Sequence, residues 1–223
     1  FSGKHFLVIG AGISGRAASL ALAGHGGSVT LNDMKAIDTE EQSWPDIKAA
    51  GVQLVFGSQE TALLDGMDVV VPSPVISPEI PIMKEAARRG LPIWSEVEVA
   101  CRVTDADMIG ITGTNGKTTT TTLVGEIMKA TGRQTVVGGN IGYGLSAQAD
   151  NLPKEAVVVA ELSSFQLEFT HSIKAKAATI LNITPDHLDR HHTMEGYAAA
   201  KERIFLNQDK GDYAVLNYDD ERV

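Results

Sequence analysis

The chain has very little cysteine and no long apolar run. Its 223 residues include one cysteine, Cys101, so an internal disulfide is excluded. It has neither a charged segment followed by an apolar run, as an export signal requires, nor an uncharged stretch long enough to span a membrane. We therefore expect a soluble cytoplasmic protein without membrane partners. Cys101 lies in an apolar stretch and is interpreted as a small core residue, with a reactive thiol as the alternative.

Positive charge is also scarce. The chain carries 19 Lys and Arg against 28 Asp and Glu, which gives a formal net charge of -9. Such a chain repels a nucleic-acid backbone, and no basic run offsets the effect. We therefore expect no nucleic-acid partner.

The length and composition allow two domains. With 43% hydrophobic residues the chain can bury a real core, and 223 residues fit one large or two small domains. We predict two, at residues 1–95 and 96–223. Because the chain starts at Phe1 without methionine and stops just after an expected strand, we expect a fragment of a longer protein that is inactive alone.

Strand and helix patterns alternate along both parts. In the first part, strands are predicted at residues 5–10, 28–31, 52–56 and 67–71, and helices at 16–23 and 79–89. A helical segment within 94–107 leads to strands at 108–112, 134–137, 156–160, 177–181 and 213–216, with helices at 116–131 and 195–207. This alternation is typical of α/β folds with parallel sheets.

A glycine-rich loop follows the strand at 108–112 and opens a helix. Its residues are Gly113, Thr114, Asn115, Gly116, Lys117, Thr118 and Thr119. In such a P-loop, backbone N–H groups and a helix N-terminus hold phosphates, the lysine reaches the β- and γ-phosphates, and the following hydroxyl binds Mg²⁺. Ile111 stands where the longer P-loop pattern has glycine, so the match is to the short core. The pattern predicts nucleotide binding, and a chance turn containing lysine is the alternative.

An earlier glycine turn has the spacing of a dinucleotide-binding loop. Gly10, Gly12 and Gly15 follow the first strand, and Asp33 ends the second. The acid in this arrangement binds a ribose hydroxyl. The same layout suits a UDP-sugar as well as NAD, and a turn that merely needs small residues remains the third interpretation.

Two polar clusters follow later strands. Glu161 ends a buried run, where its carboxylate faces the crevice used by ligands of α/β sheets, although a solvated strand end is an equal alternative. His187, His191 and His192 follow the next strand. Zinc is conceivable there, but the P-loop favours Mg²⁺. We expect His187 to be functional and His191 and His192 to be solvated.

Four motifs in order resemble those of the Mur ligases. They occupy residues 113–119, 138–142, 161–167 and 182–189. The resemblance implies a Rossmann-like UDP-binding domain followed by a truncated P-loop ATPase-type central domain. Within the family, residues 161–167 look like those of members that add D-glutamate to UDP-N-acetylmuramoyl-L-alanine with ATP. The resemblance further implies a monomer that acts in peptidoglycan precursor synthesis.

The resemblance also assigns roles to residues. Catalytic roles fall to Lys117, His187 and Lys201, and ATP binding falls to residues 113–119. UDP-substrate contacts fall to Ile13, Ser14, Asp33, Met34, Lys35, Ser73, Asn140, Ser163 and His187. Ligands for two Mg²⁺ ions fall to Thr118, Glu161, His187 and a carbamylated Lys201.

The carbamylation of Lys201 that the resemblance implies meets a chemical obstacle. A carbamate forms only on a neutral amine, and at pH 7 a lysine with its ordinary pKa is neutral in about one molecule in a few thousand. Without the resemblance, Lys201 would be taken for a helix-surface lysine paired with acids. Val75 stands where relatives often have glycine, which puts a backbone contact to uracil in doubt.

Three other functions stay open at this point. They are another Mur-type amino-acid ligase, a nicotinamide-dependent dehydrogenase built on the first glycine turn, and a non-catalytic nucleotide-binding module. The dehydrogenase leaves the P-loop and Glu161 without a role.

Overall fold

The computed structural model describes residues 1–37 and 44–223 as two parallel β-sheets with helices packed on them. The strand order is β3-β2-β1-β4 in the first sheet and β6-β7-β5-β8-β9 in the second. Every strand pair in both sheets is parallel. The predicted α/β fold class is therefore confirmed.

The first sheet and its helices occupy the N-terminal part of the chain. Its elements are β1 (His5–Ile9), α1 (Ile13–Gly24), β2 (Ser28–Asp33), α2 (Pro45–Ala49), β3 (Gln53–Phe56), β4 (Val69–Pro72) and α3 (Pro81–Arg88). Helix α3 begins later than the predicted residue 79 because Pro81, with its fixed φ and no N–H, occupies the first helical position.

The second sheet and its helices follow. Their elements are α4 (Glu96–Val103), β5 (Asp107–Thr112), α5 (Lys117–Ala130), β6 (Thr135–Gly139), α6 (Leu145–Ala149), β7 (Val157–Glu161), α7 (Ser164–Glu168), β8 (Ala175–Ile180), α8 (Leu188–His191), α9 (Met194–Glu202) and β9 (Tyr213–Leu216). The helix predicted at 195–207 ends at Glu202 and tightens into a 3-10 turn, Arg203–Phe205. The short helices α2, α6, α7 and α8 were not predicted.

Strand order sets where ligands can bind. In the first sheet the chain passes from β1 to β2 on one side and to β4 on the other, and in the second sheet β5 lies between β7 and β8. In open α/β sheets, ligands bind outside the carboxyl ends of strands where the order reverses. The first glycine turn follows β1 and the P-loop follows β5, so both lie at such positions.

Two buried carboxylates hold α4 against α6 and the segment that follows α7. Glu98 accepts hydrogen bonds from the backbone N–H groups of His171 and Ser172, from the Ser172 hydroxyl, and from Arg102, at 2.6–2.7 Å. These donors lower the pKa of Glu98 although burial opposes them. Within the part of the chain that the structure describes, Glu96 accepts hydrogen bonds from Ser146 alone, and burial raises its pKa to about 7.

Among the described residues, none of the helices has the length and apolar character needed to cross a membrane.

The tight turn after β1 depends on Gly15. A Cβ at this position would lie 1.8 Å from the carbonyl oxygen of Gly10, whereas one at Gly24, at the other end of α1, would meet nothing within 4 Å. We predict that Gly15→Ala lowers the free energy of unfolding by about 1–3 kcal/mol through overpacking. Gly24→Ala should be neutral or stabilising by up to about 1 kcal/mol. Urea denaturation of both variants measures the difference, and equal effects would contradict the role of Gly15.

Candidate functional site

The P-loop links the end of β5 to the start of α5. Lys117, the first residue of α5, donates from Nζ to the carbonyl oxygens of Gly113 at 3.0 Å and Thr114 at 2.9 Å. Thr118 and Thr119 follow in the first helical turn and are exposed. The loop therefore presents an ammonium group, hydroxyls and a helix N-terminus at one place, as phosphate binding requires.

A second lysine reaches the same loop. Lys201 on α9 is 1% exposed and donates from Nζ to the Gly113 carbonyl at 2.8 Å, while the ammonium lies 4.6 Å from the centre of the Tyr197 ring. Burial, and secondly the nearby charge of Lys117, lower the pKa of Lys201 to about 7. This corrects the default interpretation of Lys201 as a paired surface lysine, because α9 packs it inward.

A side-chain clamp that sequence reasoning missed holds the P-loop in place. Asn182, just after β8, accepts from the Asn115 N–H at 2.9 Å and donates to the Asn115 carbonyl at 3.0 Å. The Thr114 hydroxyl lies 3.2 Å from the Tyr197 hydroxyl and accepts from the Thr184 N–H at 3.0 Å. Because Asn182 begins the last of the four motifs, its motif position was the available signal.

Glu161 ends β7 beside the P-loop strand and is 1% exposed. Its Oε1 accepts from the Asn140 side-chain amide at 2.9 Å, and its Oε2 is buried without a hydrogen-bond partner among the residues that the structure describes. A Cβ on Gly139 would lie 2.2 Å from the Glu161 carbonyl oxygen, so only glycine allows this turn to approach the strand. The alternative of a solvated strand-end acid is therefore wrong.

A cleft of about 330 Å³ lies between the two sheets. Its walls come from the first glycine turn, the residues after β4, the turn after β6 and helix α7. The lining residues are Gly12, Ile13, Ser14, Ser73, Pro74, Val75, Gly139, Asn140, Gly142, Tyr143, Gly144 and Gln166. It thus brings together four of the residues expected to contact the UDP-substrate: Ile13, Ser14, Ser73 and Asn140.

Three other expected substrate residues lie at the end of β2, beside the first glycine turn. Asp33 accepts from the Ala11 N–H at 2.8 Å through Oδ2 and from the Lys35 N–H at 2.9 Å through Oδ1. Met34 is 70% exposed. None of the three lines the cleft, so their role in ligand binding stays a prediction.

Ser163, also expected at the substrate, caps helix α7. Its hydroxyl accepts from the Gln166 N–H at 3.2 Å, and its own N–H donates to the Gln166 side-chain oxygen at 2.9 Å. This reciprocal capping box fixes Gln166, which is 1% exposed yet lines the cleft. Sequence reasoning noted Gln166 within a motif without assigning it a role.

The histidines following β8 differ in environment. His187 is exposed, adopts a left-handed backbone with φ 51°, and has its ring 4.8 Å from that of Phe165. His191, expected to be solvated, is instead half-buried on α8 and lies 2.9 Å from the Ser164 hydroxyl. Burial lowers the pKa of His191. His192 is exposed as expected.

In the described part of the chain, no group of three or more His, Cys, Asp or Glu side chains could hold a metal ion. Zinc therefore has no support from the histidine loop. Cys101 is partly buried against the core of the second sheet, and burial raises the pKa of its thiol. A raised pKa disfavours the reactive thiolate, which agrees with a core cysteine.

The fold and the site define a nucleotide-binding α/β protein with a P-loop sheet and a second, Rossmann-like sheet that share one cleft. The chain belongs to the Mur ligase family, since the model for the Mur ligase middle domain matches residues 111–223 and that for the MurD-like N-terminal domain matches residues 4–95.

Curated relatives are similar along almost the whole chain. UDP-N-acetylmuramoylalanine--D-glutamate ligase of Desulfitobacterium hafniense (strain Y51) is 48% identical over 220 residues, which cover 99% of this chain and 48% of that protein. The ligase of the same name from Shouchella clausii (strain KSM-K16) is 45% identical over 221 residues, 99% and 49% of the two chains. The chain spans about half the length of the curated relatives it matches.

Solved structures share the fold at lower identity. UDP-N-acetylmuramate:L-alanyl-gamma-D-glutamyl-meso-diaminopimelate ligase from Neisseria meningitides has a TM-score of 0.63 at 18% identity, covering 98% of this chain and 72% of that one. UDP-N-acetylmuramate-alanine ligase MurC from Thermotoga maritima has a TM-score of 0.56 at 23% identity, covering 99% and 50%. At these identities the likeness concerns the fold alone.

The lowered pKa of Lys201 predicts a pH dependence of stability. Between about pH 7 and 10.5 the unfolded chain keeps the Lys201 proton that the folded chain has lost, so the free energy of unfolding rises with pH. Lys201→Met carries no proton in either state. In buffer free of carbon dioxide, the stability of the wild type relative to Lys201→Met should rise by at most about 1.4 kcal/mol per pH unit across this window. A constant difference, measured by urea denaturation at several pH values, would contradict the assigned shift.

Proposed function

We propose that the whole protein is an ATP-dependent ligase that joins D-glutamate to UDP-N-acetylmuramoyl-L-alanine in peptidoglycan precursor synthesis. In this chain, residues 1–95 form the uridine-substrate domain and residues 96–223 form part of the ATP-binding domain. The names of the curated relatives support the choice of D-glutamate over other amino acids. We further propose a monomer that acts in the cytoplasm.

One observation carries the proposal. Asn140 lines the cleft between the two sheets and also donates to Glu161, the buried carboxylate beside the P-loop. A ligand in the cleft that contacts Asn140 therefore lies within one side chain of the nucleotide site. Transfer of a phosphoryl group from ATP to a uridine-linked carboxylate needs this adjacency, because reacting atoms must lie about 3–3.5 Å apart.

The P-loop residues Gly113 to Thr119 are proposed to hold ATP. Lys117 already donates to two loop carbonyls, and a phosphate chain would replace these acceptors with charged oxygens. A phosphate oxygen carries negative charge, so its hydrogen bond with the ammonium group gains an attraction between opposite charges that a neutral carbonyl does not supply. The positive charge of Lys117 then offsets the repulsion between the anionic substrate and ATP.

Magnesium fits the residues present. Within residues 1–37 and 44–223 the buried Oε2 of Glu161 has no hydrogen-bond partner, and a carboxylate oxygen beside a phosphate site is a ligand that Mg²⁺ prefers. We propose that Thr118, Glu161, His187 and a modified Lys201 hold two such ions. When bound, Mg²⁺ neutralises phosphate charge and orients the transferred group.

Lys201 is proposed to be carbamylated. Its amine would add to carbon dioxide, forming an N–C bond and releasing one proton, which leaves an anionic carbamate. A pKa of about 7 makes about half of the amine neutral at pH 7, so the obstacle that an ordinary lysine presents is removed. The carbamate would also replace a buried cation that lies beside Lys117 with an anion that attracts it.

Replacing Lys117 tests whether ATP and the uridine substrate bind at two distinct sites. Lys117→Ala should weaken ATP binding by at least about 100-fold through loss of the phosphate contact, and should change the affinity for UDP-N-acetylmuramoyl-L-alanine by less than about threefold. Calorimetric titration of the chain with each ligand, alone and in the presence of the other, measures both affinities.

The matched control is Lys129→Ala on the same helix, since Lys129 is exposed and forms an ion pair with Glu126 on the helix surface. It should leave both affinities unchanged. If ATP and the uridine compound displace each other in the wild type, the ligase proposal fails. If both bind but the whole protein releases no phosphate with D-glutamate present, a non-catalytic nucleotide-binding module is the better description.

The carbamate has a direct spectroscopic test. After equilibration with ¹³C-bicarbonate and Mg²⁺, the wild type should show a protein-bound carbamate resonance in ¹³C NMR, and Lys201→Met should lack it. Lys129→Met should keep it, because that lysine is exposed. In the whole protein, Lys201→Ala should be inactive and partly rescued by small carboxylates. A resonance that persists in Lys201→Met would contradict this assignment.

A further inference from the structure

Arg190 is a largely buried arginine that the proposed reaction does not use. It lies on α8, close after His187, and its side chain is only 9% exposed. Burying a guanidinium costs free energy unless its N–H groups are hydrogen-bonded. The partners of Arg190 therefore indicate the role of this side chain.

The guanidinium of Arg190 reaches in two directions. On one side, Nε and Nη2 each lie 2.9 Å from a Glu168 carboxylate oxygen at the end of α7. On the other, Nη1 donates to the carbonyl oxygens of Ile76 at 3.0 Å and Pro74 at 3.4 Å. Ile76 lies 114 residues earlier in the chain, in the segment that follows β4 of the first sheet.

The contacted segment, residues 73–76, is called here the β4 loop. Ser73, Pro74 and Val75 of this loop line the cleft, and the Ile76 N–H donates back to the Ser73 carbonyl at 2.9 Å. The two carbonyls that Arg190 binds flank Val75, whose side chain is 85% exposed. Arg190 therefore fixes the main chain on both sides of a residue in the cleft wall.

Arg190 is also connected to the nucleotide side of the site. Its guanidinium lies 4.5 Å from the centre of the Phe165 ring, and that ring also contacts the rings of His187 at 4.8 Å and His191 at 5.6 Å. Phe165 and Glu168 both belong to α7, the helix that carries Gln166 into the cleft. One side chain thus joins the β4 loop to the elements that hold His187 and Gln166.

We propose that Arg190 is a positioning residue, which fixes the β4 loop against α7 and α8 so that the first sheet's wall of the cleft is in place for the uridine substrate. This inference rests on the proposed function. Arginine suits the task because its planar fork offers donors at opposite ends, whereas an ammonium group is a point charge.

A neighbouring arginine provides the matched control. Arg203 also donates to carbonyl oxygens of the α7 region, those of Leu167 at 2.8 Å and Thr170 at 2.7 Å. Across the described ranges of the chain, none of its hydrogen bonds reaches the first sheet. Loss of Arg203 removes comparable contacts near α7 while the β4 loop keeps its anchor. A difference between the two variants therefore reports the loop contact and not the general packing of α7.

The experiment compares Arg190→Met, Arg190→Lys and Arg203→Met in the whole protein. We expect Arg190→Met to raise KM for UDP-N-acetylmuramoyl-L-alanine by about tenfold, the equivalent of one or two lost hydrogen bonds to a charged group, with KM for ATP changed less than about threefold. Arg190→Lys should show an intermediate rise, and Arg203→Met should leave the ratio of the two KM values unchanged. Hydrogen exchange of residues 73–77 should be faster in Arg190→Met, faster to a smaller extent in Arg190→Lys, and unchanged in Arg203→Met.

Two outcomes would overturn the inference. One is an equal change of both KM values in Arg190→Met, which is the signature of general destabilisation. The other is unchanged hydrogen exchange in residues 73–77. If Arg190→Met does not fold, Arg190→Lys supplies the same comparison, since it keeps a positive charge near Glu168.

The test also separates this inference from the function on which it rests. If the wild type binds no uridine compound, the proposed function fails, while hydrogen exchange still decides whether Arg190 holds the β4 loop. If the wild type binds the compound and Arg190→Met binds it equally well, the function stands and the positioning role is wrong.

Discussion

Helix α4 is part of both hydrophobic cores, and the position of the cleft depends on it. Val97 and Ala100 pack in the core of the second sheet, whereas Val99 packs in the core of the first. The helix also carries two buried carboxylates, and a buried carboxylate is tolerated only where donors meet it. Ser146 meets Glu96, and the segment after α7 meets Glu98. Apolar packing thus brings the two sheets together, and these directional bonds fix how their carboxyl ends face each other.

The lysines at the site have a charge opposite in sign to the net charge of the chain. The chain has a net charge of -9 and the proposed ligands are themselves anionic, so the few cations near the cleft have a disproportionate effect. Lys117 and Lys201 share the Gly113 carbonyl, and burial, followed by the nearby charge of Lys117, lowers the pKa of Lys201. In the proposed function, the half-buried Lys117 binds phosphate and the neutral amine of the buried Lys201 reacts with carbon dioxide.

Most of the fold was predictable from the sequence, because apolar runs of strand length alternate with helical stretches and each glycine turn marks a strand end. The P-loop and Glu161 were predictable for the same reason, since a strand fixes where its next residue lies. The contacts of Asn182, Gln166 and Arg190 were not, because each joins segments far apart in the chain and depends on how the sheets pack. His191 shows the limit clearly, since its burial comes from α7 and not from its polar neighbours in sequence.

The cleft and the neighbouring P-loop are built from short segments at strand ends, and three of these segments are held by a side chain from elsewhere in the fold. Asp33 holds the first glycine turn at Ala11, Asn182 holds the P-loop at Asn115, and Arg190 holds the β4 loop at Ile76. Loops without such anchors sample many conformations, and ordering them on binding would cost about 1–2 kcal/mol per residue. Anchoring them beforehand moves that cost from the binding step to folding. The polar residues of these segments therefore act in two ways. Some are proposed to contact ligands directly, and those that bind the backbone of another loop act on ligands through preorganisation.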